Sequence, residues 1–250
     1  MYQVRMLKAG EQGVVVEFSD AIEPGVNALV HRLSSVLMLE MPELILEVVP
    51  TYRSLMVYFD PLTISRERLQ EKIADSLASL ETAAASDTIR IIKIPVAYGG
   101  DFGPDLEFVA SHNAITPSEV IAIHTSVPYL IYMLGFTPGF PYLGGMSERI
   151  AAPRLKTPRV RIPTGSVGIA GKQTGIYPIE SPGGWQLIGR TPLTVFNPSG
   201  PTPFLFAAGD YLQFAAIEVE EFVAIKNQVA TASYAPSVRC VARAEACPCA

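Results

Sequence analysis

Beyond Tyr129 almost everything reads as short strands broken by glycine and proline. The segments between them, YLIYMLGF, RIPTG, GSVGIAG, GIYPI, WQLIGR, LTVFN and LFAAGDYLQFAAI, are short and rich in β-branched and aromatic residues. Their spacing is that of a barrel or sandwich. Most of the chain's 19 glycines and 21 prolines lie in this half, so a closed β-barrel with long loops is the economical fold.

The first 80 or so residues have a different texture. Strands are predicted at 3–7, 14–18, 44–49 and 54–59. Two helices lie between and after them. In the first, at 24–39, Val26, Leu29, Val30, Leu33 and Leu37 share one face; in the second, at 65–80, Leu69, Ile73, Leu77 and Leu80 do so. These elements make a small sheet covered by two helices on one side, an α+β arrangement of the ferredoxin-like kind. ETAAASDT is small and polar, a linker by composition. The expected organisation is an α+β domain at 1–82, a linker at 83–88, a mainly β-barrel domain at 89–228 and a flexible tail at 229–250. Early in the barrel domain, Thr116-Pro117-Ser118-Glu119 predicts a capped helix at 117–124.

Charge and composition exclude several partners. The chain carries 19 Lys+Arg against 24 Asp+Glu, a net charge of -5, with no basic run, so nucleic acid is not an expected partner. No apolar stretch is long enough to span a bilayer, and MYQVRMLKAGEQG lacks the features of a signal peptide. Cys240, Cys247 and Cys249 are confined to the end of the chain. That is a poor disulfide framework, and a body free of cysteine suits a reducing cytoplasm. Three thiols without a fourth ligand make a weak zinc site, so no metal site is expected from the tail.

SVGIAGKQT resembles a phosphate-binding loop with two letters changed. Ser166 stands where the first glycine of G-x-x-x-x-G-K-[ST] belongs, Gln173 follows Lys172 where a hydroxyl is required, and QTGIYPIESPGGW cannot continue as a helix. It is not a Walker loop. Two readings of the segment stay open. Gly165, Gly168, Gly171 and Gly175 expose backbone N–H groups to an anion, with Lys172, Gln173, Thr174 and Tyr177 adding polar groups; or the glycines serve tight barrel corners and Lys172 is solvated.

Three more clusters flank this segment. GFTPGFPYLGGM is too irregular for core and too rich in rings for a connector. PRLKTPRVRIP sets Arg154, Arg159 and Arg161 on a proline frame, suited to bidentate binding of carboxylate or phosphate or to pairing with acidic protein surface. SPGGWQLIGRTP holds Trp185, the single tryptophan, which either lies against a ligand or plugs the barrel end. His31, His112 and His124 are scattered, the latter two at predicted helix ends where a ring satisfies the last carbonyls. No H-E-x-x-H, G-x-S-x-G or C-x-x-C occurs, and no residue is named as general base.

Taken in order, GFTPGFPYLGGM, PRLKTPRVRIPTGSVGIAGKQTGIYPIESPGGWQLIGRTP, AAGDYLQF and the earlier PTYRSLMVYFDP closely resemble the B-subunit family of 5-oxoprolinase. That family is also described as kinase-inhibitor-like or allophanate hydrolase subunit 1, and is related to the carboxyltransferase part of urea carboxylase. The resemblance covers about residues 2–225; Thr164 and Asn197 depart from residues common in the family. It implies a ferredoxin-like domain followed by a cyclophilin-like barrel. It also implies a homologous barrel partner, the C subunit of 5-oxoprolinase, together with its A subunit, and ATP-dependent conversion of 5-oxo-L-proline to L-glutamate. ATP, with Mg²⁺, would sit in a site shared with a partner. Arg154, Arg159, Gly165, Ser166, Lys172 and Trp185 are then expected to meet substrate or phosphate, with Gln173, Thr174 and Tyr177 orienting the lactam. The alternative within the same resemblance is a regulatory protein that blocks autophosphorylation of a sensor histidine kinase.

Overall fold

A computed structural model describes residues 4–82 and 88–242. The chain divides into two compact units, Met1–Ser86 and Asp87–Ala250. The first unit contains β1 (Arg5–Ala9), β2 (Gly13–Glu17), α1 (Pro24–Glu40), β3 (Ile45–Pro50), β4 (Ser54–Phe59) and α2 (Arg66–Thr82). Its sheet runs β1-β2-β4-β3 with every neighbour antiparallel. Alternate residues Val14 and Val16 of β2 and Leu55, Val57 and Phe59 of β4 are buried against Val26, Val30, Leu33 and Leu37 of α1 and Leu69 and Ile73 of α2. A period of two on the sheet thus meets a period of 3.6 on the helices. Buried Asn27 of α1 donates to the carbonyls of Thr51 and Tyr52, which ties the helix to the turn before β4. The element order is ββαββα. The edge beside β2, which a βαββαβ motif fills from its C-terminal end, is filled here by the N-terminal strand.

The second unit opens with β5 (Thr88–Tyr98), α3 (Leu106–His112) and α4 (Pro117–Thr125), followed by β6 (Tyr129–Leu134), β7 (Pro141–Gly144), a 3-10 turn at Glu148–Ile150 and β8 (Arg159–Ile162). Next come β9 (Ser166–Ala170), β10 (Gln173–Ile176), β11 (Ser181–Gly183), β12 (Gln186–Arg190), β13 (Tyr211–Ala216), α5 (Val219–Ala230) and β14 (Val238–Ala242). The large sheet runs β10-β9-β12-β5-β13-β6-β7, and its end strands β7 and β10 are neighbours, so the barrel is nearly closed. β8 and β11 form a separate two-stranded ribbon.

β5 is the spine of this unit. Ile91–Val96 pair with β13 in parallel on one edge, while the other edge is divided between β14 at Thr88–Ile92 and β12 at Ala97–Tyr98. Ile92, Ile94 and Val96 point inward to meet Val167, Ile169, Ile176, Ile188, Leu212 and Phe214. α4 begins with the expected capping box, Thr116 and Glu119 each bonding the other's backbone N–H.

Two elements depart from the expectations. Residues 219–230 form a helix despite strand-like Val219, Val223 and Val229; only Phe222 and Ile225 of it are buried. Residues 238–242, expected within a flexible tail, form β14, an almost wholly exposed edge strand that owes its place to pairing with β5 rather than to its own pattern. Cys240 lies exposed on it, while Cys247 and Cys249 lie outside the described residues. Positions 83–87 of the expected linker also lie outside them, and Thr88 already belongs to β5. No helix among the described residues is long and apolar enough to cross a membrane.

Candidate functional site

The segment that resembles a phosphate loop folds as a β-hairpin. Ala170 of β9 faces Gln173 of β10, which leaves Gly171 and Lys172 at the tip. Gly171 takes φ 58°, a left-handed conformation that glycine adopts without steric cost. The expected nest of open N–H groups does not form: the Gly165 N–H donates to the Tyr177 carbonyl at 2.8 Å and the Gly171 N–H to the Ala152 carbonyl at 2.7 Å. Gly168 and Gly175 face each other within the sheet. What the smallness of Gly175 provides is a close approach, since a Cβ there would stand 3.0 Å from the Phe140 ring and 3.3 Å from Trp185. Lys172 is exposed, its ammonium 2.6 Å from Glu148.

Those two rings belong to a cavity of about 180 Å³. Phe140 is its hub. Trp185, Tyr177 and Tyr142 meet Phe140 edge-to-face at centroid distances of 5.5, 5.7 and 5.4 Å, the arrangement that ring quadrupoles favour. Phe136 adds a further edge-to-face contact, and Pro182, Gly183 and Gly184 complete the lining. Arg154 and Gln173 bring polar groups to it. Burial pushes the Tyr177 phenol above its ordinary value, opposed by a backbone hydrogen bond from Trp185 and by the charges of Arg154 and Arg159.

The cations around this cavity differ in how they are compensated. Arg159 pairs with Asp105 at 2.7 Å and donates to the Trp185 carbonyl at 3.3 Å. Asp105 in turn accepts the Leu187 N–H at 2.6 Å, so Arg159 and Asp105 brace the strand behind Trp185. Arg161 pairs with Glu180 at 2.7 Å. Arg154, exposed at the rim, pairs with no carboxylate among the described residues.

Thr174, next to Gln173 on β10, faces the opposite way. Its hydroxyl lies 2.8 Å from His124 Nε2 and donates to the Gly168 carbonyl at 3.1 Å, while His124 Nδ1 is 2.7 Å from the Tyr98 hydroxyl. Thr174 gives its proton to Gly168 and therefore accepts one from Nε2–H, and Nδ1 accepts from Tyr98. His124 is fully buried and does not cap its helix, as its position in the sequence suggested. Desolvation holds its pKa down at about 3, so the ring is neutral.

Of the residues expected at the site, Arg154, Gln173, Tyr177 and Trp185 come together around the cavity. Arg159 stands behind its wall, Lys172 lies at the hairpin tip, and Gly165, Ser166 and Thr174 are buried in the barrel. Ser166 Oγ has no hydrogen-bond partner among the described residues. Phe136, Phe140 and Tyr142 are additions; their signal was the ring-rich GFTPGFPYLGGM. Among the described residues no group of three or more His, Cys, Asp or Glu is placed to hold a metal ion. The ring-lined cavity by itself does not suit a nucleotide, because it is smaller than the about 300 Å³ at which pockets for larger ligands begin, and Gly165 and Gly171 have their N–H groups engaged.

A helix-backed antiparallel sheet followed by this barrel and its ring-lined cavity is the fold of a defined class: residues 4–206 match the family model "Carboxyltransferase domain, subdomain C and D", and the chain belongs to that family. Within it the chain is 43% identical over 241 residues to the 5-oxoprolinase B subunit of Bacillus subtilis (strain 168), covering 91% of this chain and 98% of that one. It is 40% identical over 218 residues to the 5-oxoprolinase B subunit of Escherichia coli O157:H7, covering 86% and 96%. The crystal structure of Kluyveromyces lactis urea carboxylase superposes with a TM-score of 0.77 at 21% identity, covering 97% of this chain and 24% of that enzyme; this likeness is one of fold.

Proposed function

We propose that this chain is the B subunit of an ATP-dependent 5-oxoprolinase, a cytoplasmic complex that opens 5-oxo-L-proline to L-glutamate. The observation that carries this reading is 43% identity extending over 98% of a relative of that name. The geometry supports it. Aromatic walls take the faces and edges of a small ring, and Arg154, Gln173 and Tyr177 supply a cation, an amide and a phenol. Opening a lactam in water is slow because an amide is a poor electrophile, and coupling to ATP supplies the missing drive. This chain's part is to bind and orient the cyclic amide; nucleotide and Mg²⁺ are assigned to the assembly with the A and C subunits. On this reading the first unit is a ferredoxin-like fold with its edge strand supplied from the N-terminus, and the second is a cyclophilin-like barrel.

Reconstitution tests it. The A and C subunits mixed with this chain should release glutamate from 5-oxoproline plus ATP, and omission of this chain should abolish release. If the full mixture is silent while the chain blocks autophosphorylation of a sensor histidine kinase, the regulatory alternative replaces the enzymatic one.

A further inference from the structure

Of Arg154, Arg159, Arg161 and Lys172, three already have an acid. Arg159 has Asp105, Arg161 has Glu180 and Lys172 has Glu148. Arg154 has no carboxylate among the described residues, and it stands where five aromatic rings enclose a space suited to a small ring. Resting on the 5-oxoprolinase reading above, we infer that Arg154 reads the carboxylate of the cyclic amide substrate, and that this chain binds that substrate by itself, without nucleotide.

The chemistry of the lining selects a carboxylated ring over a phosphate. A guanidinium matches a carboxylate in a two-pronged pairing, and one uncompensated positive charge balances one carboxylate, whereas a nucleotide's phosphates carry several negative charges. The remaining lining is apolar or neutral, with Phe140, Trp185 and Tyr142 offering surface for ring methylenes. Tyr177 takes the Trp185 backbone N–H on its oxygen and stays protonated through burial, so its O–H can donate to a lactam carbonyl. Gln173, at the same wall, brings a side-chain amide near the lactam. A ring lacking the carboxylate would leave Arg154 unpaired, and a ring lacking the lactam carbonyl would leave the phenol without an acceptor.

Trp185 is the chain's single tryptophan and lines this cavity, so its fluorescence reports occupancy of the full-length protein without labels. Titration with 5-oxo-L-proline should give a saturable change in the nucleotide-free chain. 2-Pyrrolidinone, which lacks the carboxylate, should bind at least tenfold more weakly, and ATP should give no saturable change. Arg154→Met should weaken 5-oxoproline at least tenfold while leaving 2-pyrrolidinone unchanged, so the preference for the acid disappears. Arg154→Lys should fall between, and Arg161→Met should match the wild type. No saturable signal from the wild type, or an Arg154→Met protein that still prefers the acid, overturns the inference. The two readings fail separately. Binding without glutamate release on reconstitution removes the enzyme and keeps the site. Glutamate release with an unaltered KM for 5-oxoproline in Arg154→Met removes the site and keeps the enzyme.

Discussion

Gln173 and Thr174 are consecutive on β10, yet they serve two different environments. Thr174 looks into the barrel, where Tyr98, His124 and Thr174 donate in turn along one hydrogen-bonded chain that ends on the Gly168 carbonyl. Every link of that chain is made and no member carries charge. Gln173 looks into the ring-lined cavity, where Arg154 keeps a charge that no neighbouring acid cancels. A strand can face both ways because its side chains alternate. The lesson is that burial alone does not mark a functional group. The more deeply buried cluster is closed to further partners, and the more exposed one still has room for one.

The largest expected effect concerns the closed side. An unfolded histidine binds a proton near pH 6.5, whereas buried His124 does so only near pH 3. Protons therefore favour the unfolded chain between those values. The contribution of His124 to stability should be complete above pH 6.5 and should fall by up to about 1.4 kcal/mol per pH unit on acidification toward pH 3. Urea denaturation across that range checks it, and the contribution must disappear from the slope in a folded His124→Gln protein. Next in size, Thr174→Val keeps the shape but leaves His124 Nε2–H unpaired, at a cost of about 2 kcal/mol, with little change in ligand affinity beyond what lost stability explains. If Thr174→Val were neutral in stability but abolished binding, the division between the two faces of β10 would be wrong.

On the open side the pattern reverses. Gln173→Ala should weaken 5-oxoproline binding by roughly fivefold, the loss of one modest hydrogen bond, read by Trp185 fluorescence, and should cost less stability than Thr174→Val. The smallest effect belongs to Lys172→Ala. An exposed ion pair such as Lys172–Glu148 contributes at most about 1 kcal/mol, so both the urea midpoint and KM for 5-oxoproline should hardly move. A large loss of turnover with Lys172→Ala would return the hairpin tip to the reacting site.

Much of the scaffold is legible in the residues themselves. The apolar faces of α1 and α2, the Thr116–Glu119 capping box and the strand at 54–59 are local patterns, and local patterns survive folding. The site is less legible because its chemistry is decided between distant positions. Arg154, Arg159 and Lys172 look alike in the sequence; what separates them is Asp105, 54 residues from Arg159, and Glu148, 24 residues from Lys172. His124 reads as a helix-end residue until Tyr98 and Thr174 close around it. The hairpin of β9 and β10 was half legible, since the prolines and glycines after Lys172 ruled out a nucleotide loop but did not reveal that Gly165 and Gly171 would commit their N–H groups to the barrel. β14 escaped because it carries no strong pattern of its own, whereas α5 was legible in Phe222, Ile225 and Val229, spaced by three and four, and went unread.

The spine strand β5 is made early and partnered late. Its parallel neighbour begins at Tyr211 and its second edge partner at Val238, so a ribosome must add more than a hundred residues before either arrives. The family match ends at residue 206, short of both. A fragment cut at that boundary would present nearly the whole length of an Ile- and Val-rich strand with open hydrogen-bonding edges, a template for aggregation, and the strands from Tyr211 onward are what cover those edges.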